Sequence, residues 1–130
     1  MNMTGYHGLA ILLATLLSVA VGMIWYAPPV FGRRWQQITG SSNPSKQALA
    51  VWVLCYLALA ITVSYLFKNL GASGLYDGIR WGATFGMVVS GLSVAPNYAF
   101  GKKPLALFLI ETGYVVVALT VMGAVIGAWQ

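Results

Sequence analysis

Long uncharged runs constrain this chain more than any other feature. No charged residue stands between His7 and Arg33, and the apolar stretch Leu9 to Ala27 closes on the pair Pro28-Pro29. Further runs cover Ala48 to Phe67, about Ile79 to Ala95 with Arg80 at its edge, where it can snorkel to the interface, and Leu105 to Trp129, interrupted only by Glu111. A hydrocarbon core about 30 Å thick takes roughly 20 apolar residues at about 1.5 Å each, so each run is long enough to span it. With 59% hydrophobic and only 7% charged residues among 130, and a mean hydropathy of +0.80, bilayer is the natural solvent. The pattern predicts an all-α chain: one domain, residues 1–130, built as a four-transmembrane-helix bundle.

The boundaries are marked by ordinary stop and start residues. Ser45 is placed to cap the second span after a polar linker, Thr39 to Lys46, that contains Asn43-Pro44. The segment Leu70 to Asp77, rich in glycine and small residues, turns the chain, and Pro96 is expected to stop span three. Asp77 and Arg80 are spaced to pair at the start of that span. The first residues, Met1 to Gly8, lack the basic stretch of a secretory leader, so the first span is read as retained.

Charge placement sets an orientation. Arg33, Arg34 and Lys46 in loop one and Lys102 and Lys103 in loop three outnumber Lys68 and Arg80 in loop two, which puts loops one and three in the cytoplasm and both termini outside. The aromatics fit that frame as interface anchors, with Trp25, Tyr26, Trp35 and Tyr98 near the cytoplasmic edge and Tyr6, Tyr65, Tyr76, Trp81 and Trp129 near the outer one. From Phe31 to Ile38 the chain is amphipathic enough to lie along the membrane surface, with Phe31, Trp35 and Ile38 toward acyl chains and the arginines toward anionic headgroups.

Composition excludes several functions. The net charge of +5 is scattered at the ends of apolar runs, without the basic stripe that nucleic-acid binding uses. One cysteine, Cys55, and one histidine, His7, cannot build a metal site, and His7 is read as interfacial. Nothing resembles a nucleophile with its base, a phosphate loop or a dinucleotide fingerprint, so neither an enzyme nor a cofactor is expected.

A shift of 68 positions lays Ala27-Pro28 on Ala95-Pro96. It also lays the small residues Ala10, Ala14, Ser18 and Gly22 on Gly78, Gly82, Gly86 and Ser90. With one insertion, Phe31-Gly32-Arg33-Arg34 matches Phe100-Gly101-Lys102-Lys103. The pattern predicts two related helical hairpins, about 1–70 and 71–130, as a parallel repeat. Apolar side chains gain little by leaving lipid for protein, so helices there associate through close packing, for which such smooth ridges suit. Spans one and three are expected to pack against each other or against a second copy, and Gly123 and Gly127 add a further small pair.

Glu111 is the one acid inside a span, about 9 Å past Leu105 at helical rise. An ionised carboxylate facing lipid there would cost several kcal/mol, of order 3, so it must be protonated, paired or turned inward. One reading makes it a proton- or cation-linked site with Tyr114, Asn97 and Tyr98; the other pairs it with Arg33, Arg34 or Lys103.

The block Gly22-x-x-Trp25-Tyr26-x-Pro28-x-x-Phe31-Gly32-x-x-Trp35, followed by Leu107 to Ile110, Gly113-Tyr114, Gly123, Gly127 and Trp129, resembles the small bacterial integral membrane proteins of the DUF1761 family. The resemblance implies a four-span protein of the bacterial inner membrane with no assigned activity. A looser analogy links the chain to small multidrug transporters, which use a membrane glutamate in a different span. The sequence therefore points first to a structural or binding protein, held in the lipid bilayer and joined to copies of itself or to a larger membrane complex. Its alternative is a small oligomeric transporter or channel using Glu111.

Overall fold

The computed structural model describes residues 8–40 and 45–129, all helix and connecting turns with no strand among them. His7, Tyr6 and Asn43-Pro44 lie outside the described residues. The elements are α1 (Gly8–Trp25), a π-helical segment Pro28–Gly32, α2 (Arg33–Thr39), α3 (Lys46–Leu70), α4 (Gly74–Phe85), a second π-helical segment Gly86–Leu92, α5 (Ser93–Phe100) and α6 (Leu105–Trp129).

Local chemistry accounts for most of the ends. Ala27 is extended, the conformation favoured before proline, and this breaks the chain direction after α1. The Gly32 amide then closes a wide turn on the Ala27 carbonyl at 3.0 Å, in a place where a Cβ would run into the Tyr26 carbonyl. Ser45 caps α3 by accepting from the Ala48 amide at 3.1 Å, as its position in the sequence predicts. Gly40 and Gly71 end α2 and α3 in the left-handed conformation that glycine adopts without steric cost.

The third apolar run departs from expectation. Pro96 does not stop it; the proline sits inside α5, and helix continues to Phe100. A proline ring clashes with the carbonyl four residues back, here that of Leu92, and the wide π-helical turn ending at Leu92 relaxes that clash. The run is thus divided into pieces of 12, 7 and 8 residues, each alone too short to span a bilayer core. Three helices, α1, α3 and α6, are each long and apolar enough to cross a membrane.

Helix α6 is the organising element. It packs against α1, α3 and α4, and α1 also packs against α3. The small rows of α1 and α4 are buried, but they lie against α6 and not against each other. The reason is that α6 carries small residues of its own, Ala118, Gly123 and Gly127, so backbones can approach from two sides. Between α4 and α6 the contact is backbone to backbone: a Cβ at Gly78 would meet the Gly123 carbonyl and one at Gly82 the Leu119 carbonyl, and at the start of the following π-helical segment a Cβ at Gly86 would lie 2.7 Å from Val116 Cα.

The core, centred on Phe67, Tyr114, Ala118, Met122 and Ile126, runs along α6 from Tyr114 to Ile126. Local structure differs at the two ends of the sequence match, since Pro28 opens a wide turn after a break whereas Pro96 lies inside a helix.

Candidate functional site

At the N-terminal end of α6 the first motif block folds onto the second. Trp25, half-buried, donates its indole N–H to the Ile110 carbonyl at 2.9 Å, and its ring lies against Gly113, where a Cβ would come within 3.0 Å. Phe31 stacks on Trp25 with ring centroids 4.8 Å apart. Tyr26 bridges the block, with its ring 5.7 Å from Trp35 and 5.6 Å from Tyr114, both edge-on, a geometry that the ring quadrupoles favour.

Tyr114 is the buried centre. Its hydroxyl donates to the Ser18 carbonyl at 2.9 Å and accepts from the Trp52 indole at 3.2 Å, tying α6 to α1 and α3. Tyr56 packs on the same ring at 5.6 Å. Gly22 leaves the room this requires, since a Cβ there would collide with the Trp52 ring and stand 2.9 Å from the Tyr114 hydroxyl. One turn further along α6, the Ser18 hydroxyl donates to the Ala118 carbonyl at 3.2 Å.

Glu111 stands at the rim of this cluster. One carboxylate oxygen accepts from the Trp35 indole at 3.0 Å, and the other accepts from the Tyr98 hydroxyl. The acid therefore clasps α2 and α5 to α6, and among the described residues it makes no ion pair within 4.0 Å with Arg33, Arg34 or Lys103. Lys103 instead sits over the Tyr98 ring, its Nζ 5.0 Å from the centroid, a cation–π contact. Part-buried Glu111 thus has two neutral donors for partners, where the sequence offered either an open proton- or cation-linked site or a basic partner.

Of the candidate residues, Tyr98 reaches Glu111 while Tyr114 bonds elsewhere, and Asn97 is exposed on α5. Trp25, Tyr26 and Trp35 turn inward to these contacts, whereas Tyr65, Tyr76 and Trp129 are exposed. Part-exposed Asp77 and exposed Arg80 do pair, at 3.6 Å. The partners missed from sequence are Trp52 and Tyr56. Their four-residue spacing puts both on one face of α3, a signal that could have marked them.

Among the described residues no group of histidine, cysteine and acid side chains is placed to hold a metal. Every buried side-chain nitrogen and oxygen among them has a partner. Comparison with curated proteins and with solved structures returned no match. A family model described as a protein of unknown function, DUF1761, matches residues 9–127, which takes in both motif blocks and their junction, and the chain belongs to that family.

Proposed function

We propose that this chain is a four-span protein of the bacterial inner membrane with a structural or binding role, associating with copies of itself or serving as an accessory subunit of a larger membrane complex. Beside α1, α3 and α6, the remaining span, third in chain order, is α4, the second π-helical segment and α5 taken as one helical rod, residues 74–100, with a reach of about 40 Å at helical rise. Loops one and three face the cytoplasm and both termini the outside, in keeping with the distribution of basic residues. No enzymatic step is part of this reading.

One observation carries the reading. The buried side-chain nitrogens and oxygens among the described residues all have partners, part-buried Glu111 has a donor on each oxygen, and the outer faces are apolar, with Leu12, Leu16, Leu54, Ile61, Met87 and Val89 exposed. A side chain that couples transport must be open to its ion, and this carboxylate is engaged by two donors from two other elements. Native mass spectrometry of the protein, extracted gently from its own membranes, is the direct test. A fixed stoichiometry with itself or with another chain supports the proposal; a monomer carrying lipid alone overturns it. For topology, Gln37→Cys and Lys102→Cys in a Cys55→Ala background should react with an impermeant thiol reagent from the cytoplasmic side and Ser73→Cys from the other.

A second reading, a small oligomeric transporter or channel for a proton- or cation-coupled solute, draws on a different observation: Glu111 is only half-buried, at the crossing of three elements. If Glu111→Gln leaves solute or ion flux into reconstituted vesicles unchanged, that reading falls.

A further inference from the structure

The two basic doublets stand 69 positions apart in the sequence, yet Glu111 clasps both α2, which carries the first, and α5, which the second follows directly. Arg33 and Arg34 immediately precede Trp35, whose indole holds one carboxylate oxygen. Lys103 lies over the ring of Tyr98, whose hydroxyl holds the other. We propose that Arg33, Arg34, Lys102 and Lys103 form a single site for the phosphate headgroup of an anionic phospholipid. The inference rests on the membrane reading above and adds a ligand to it.

Charge is the first argument. All four cations are exposed, and the chain has two acids in all. Asp77 is near Arg80 at the opposite end of α6, where α4 meets Gly123 and Gly127. Glu111 is the one acid nearby, and its two oxygens face Trp35 and Tyr98. The end of the bundle therefore carries an excess of positive charge beside the headgroup layer.

The second argument separates a lipid from a free phosphate. Each doublet follows a phenylalanine-glycine pair, Phe31-Gly32 in one case and Phe100-Gly101 in the other; Phe100 is 88% exposed, and Phe31, stacked on Trp25, is 37% exposed. Val30 is exposed as well. Cations beside exposed apolar side chains match a molecule with a phosphate at one end and acyl chains at the other.

Third, the lysine doublet is held against the end of α5. The Lys103 amide bonds the Tyr98 carbonyl at 3.0 Å, and Lys102 adopts a left-handed backbone with φ of 53°. A lysine rarely occupies that conformation, which here keeps the doublet tight against the end of α5.

The test uses the full chain in vesicles of equal phosphatidylglycerol and phosphatidylcholine, with lipids retained on the protein read by native mass spectrometry. Phosphatidylglycerol should be retained in preference, and Arg33→Gln/Arg34→Gln or Lys102→Gln/Lys103→Gln should each weaken its retention about 30-fold at low salt. Two further variants ask whether the doublets act together. Trp35→Phe changes no charge and Glu111→Ala makes the chain more positive, yet both should weaken retention, because both open the clasp.

Tighter retention by Glu111→Ala with no effect of Trp35→Phe would mean independent surface charges and overturn the site. Displacement of phosphatidylglycerol by inorganic phosphate at comparable concentration would overturn the lipid assignment. Failure of the protein to insert into vesicles sinks the membrane reading itself, whereas insertion with equal retention of both lipids sinks this proposal alone. Helix content by circular dichroism identifies any variant that has lost its fold, and the lysine pair, on an exposed turn, keeps the question answerable.

Discussion

Helix α6 meets α4 along one side and α1 with α3 along another, and the two contacts are built from different materials. Against α4, glycine faces glycine: Gly78 and Gly82 lie on the backbone of Leu119, Gly123 and Gly127, with no side chain between the chains. Against α1 and α3, indole and phenol groups reach across, Trp25 to the Ile110 carbonyl and Tyr114 to the Ser18 carbonyl, with Trp52 bonded to Tyr114. The glycine seam depends on volume, because a close backbone approach gains dispersion over its whole length and loses it all at once when the helices part. The aromatic contact depends on chemistry, because each bond has a donor and an acceptor that can be removed singly.

That contrast can be broken by substitution. The largest effect should come from Gly78→Leu, whose side chain has only the Gly123 backbone to displace; it should cost about 3 kcal/mol or more in reversible unfolding from detergent micelles. Tyr114→Phe should cost about 1.5 kcal/mol in the same assay, since it keeps the packing but leaves the Ser18 carbonyl and the Trp52 indole without their buried partner.

Gly22→Ala sharpens the comparison. Its new methyl meets ring atoms of Trp52 and the Tyr114 hydroxyl, the far ends of side chains that can shift, so about 1 kcal/mol is expected, clearly less than Gly78→Ala. Outside both contacts, Asp77→Asn removes an exposed pair with Arg80 and should change stability by less than about 0.5 kcal/mol, diminishing further with salt. An effect of Asp77→Asn as large as that of Gly22→Ala would mean that the start of α4 is held by more than its glycines.

Parts of the molecule were legible before any coordinates. The cap at Ser45 and the turn after Leu70 follow from local chemistry and appear where the sequence puts them, although the turn is shorter than the stretch Leu70 to Asp77, since α4 begins at Gly74. The rows of Ala10, Ala14, Ser18 and Gly22 and of Gly78, Gly82, Gly86 and Ser90 are buried. A four-residue spacing defines a helix face whatever lies opposite. The partner of each row was not legible, because a smooth ridge fits any other smooth ridge. Pro96 misled for a related reason: its usual effect as a helix stop assumes a regular α-helical turn before it, and here that turn is wide.

Glu111 illustrates the limit most clearly. Its depth in the last apolar run shows that the carboxylate needs an answer, yet its neighbours in sequence do not say which. Arginine, lysine and tyrosine were all within reach of loops one and three, and the fold chose an indole from α2 and a phenol from α5. By itself the sequence determined the helical character of the chain, the length of its apolar runs, its caps and its smooth faces, because these depend on residues within a turn or two of one another. Only the tertiary structure decided that α6 lies between α1 and α4, that Tyr114 ties three helices together, and that Glu111 closes one end. Those outcomes depend on which distant side chains arrive with matching volume and hydrogen-bonding groups.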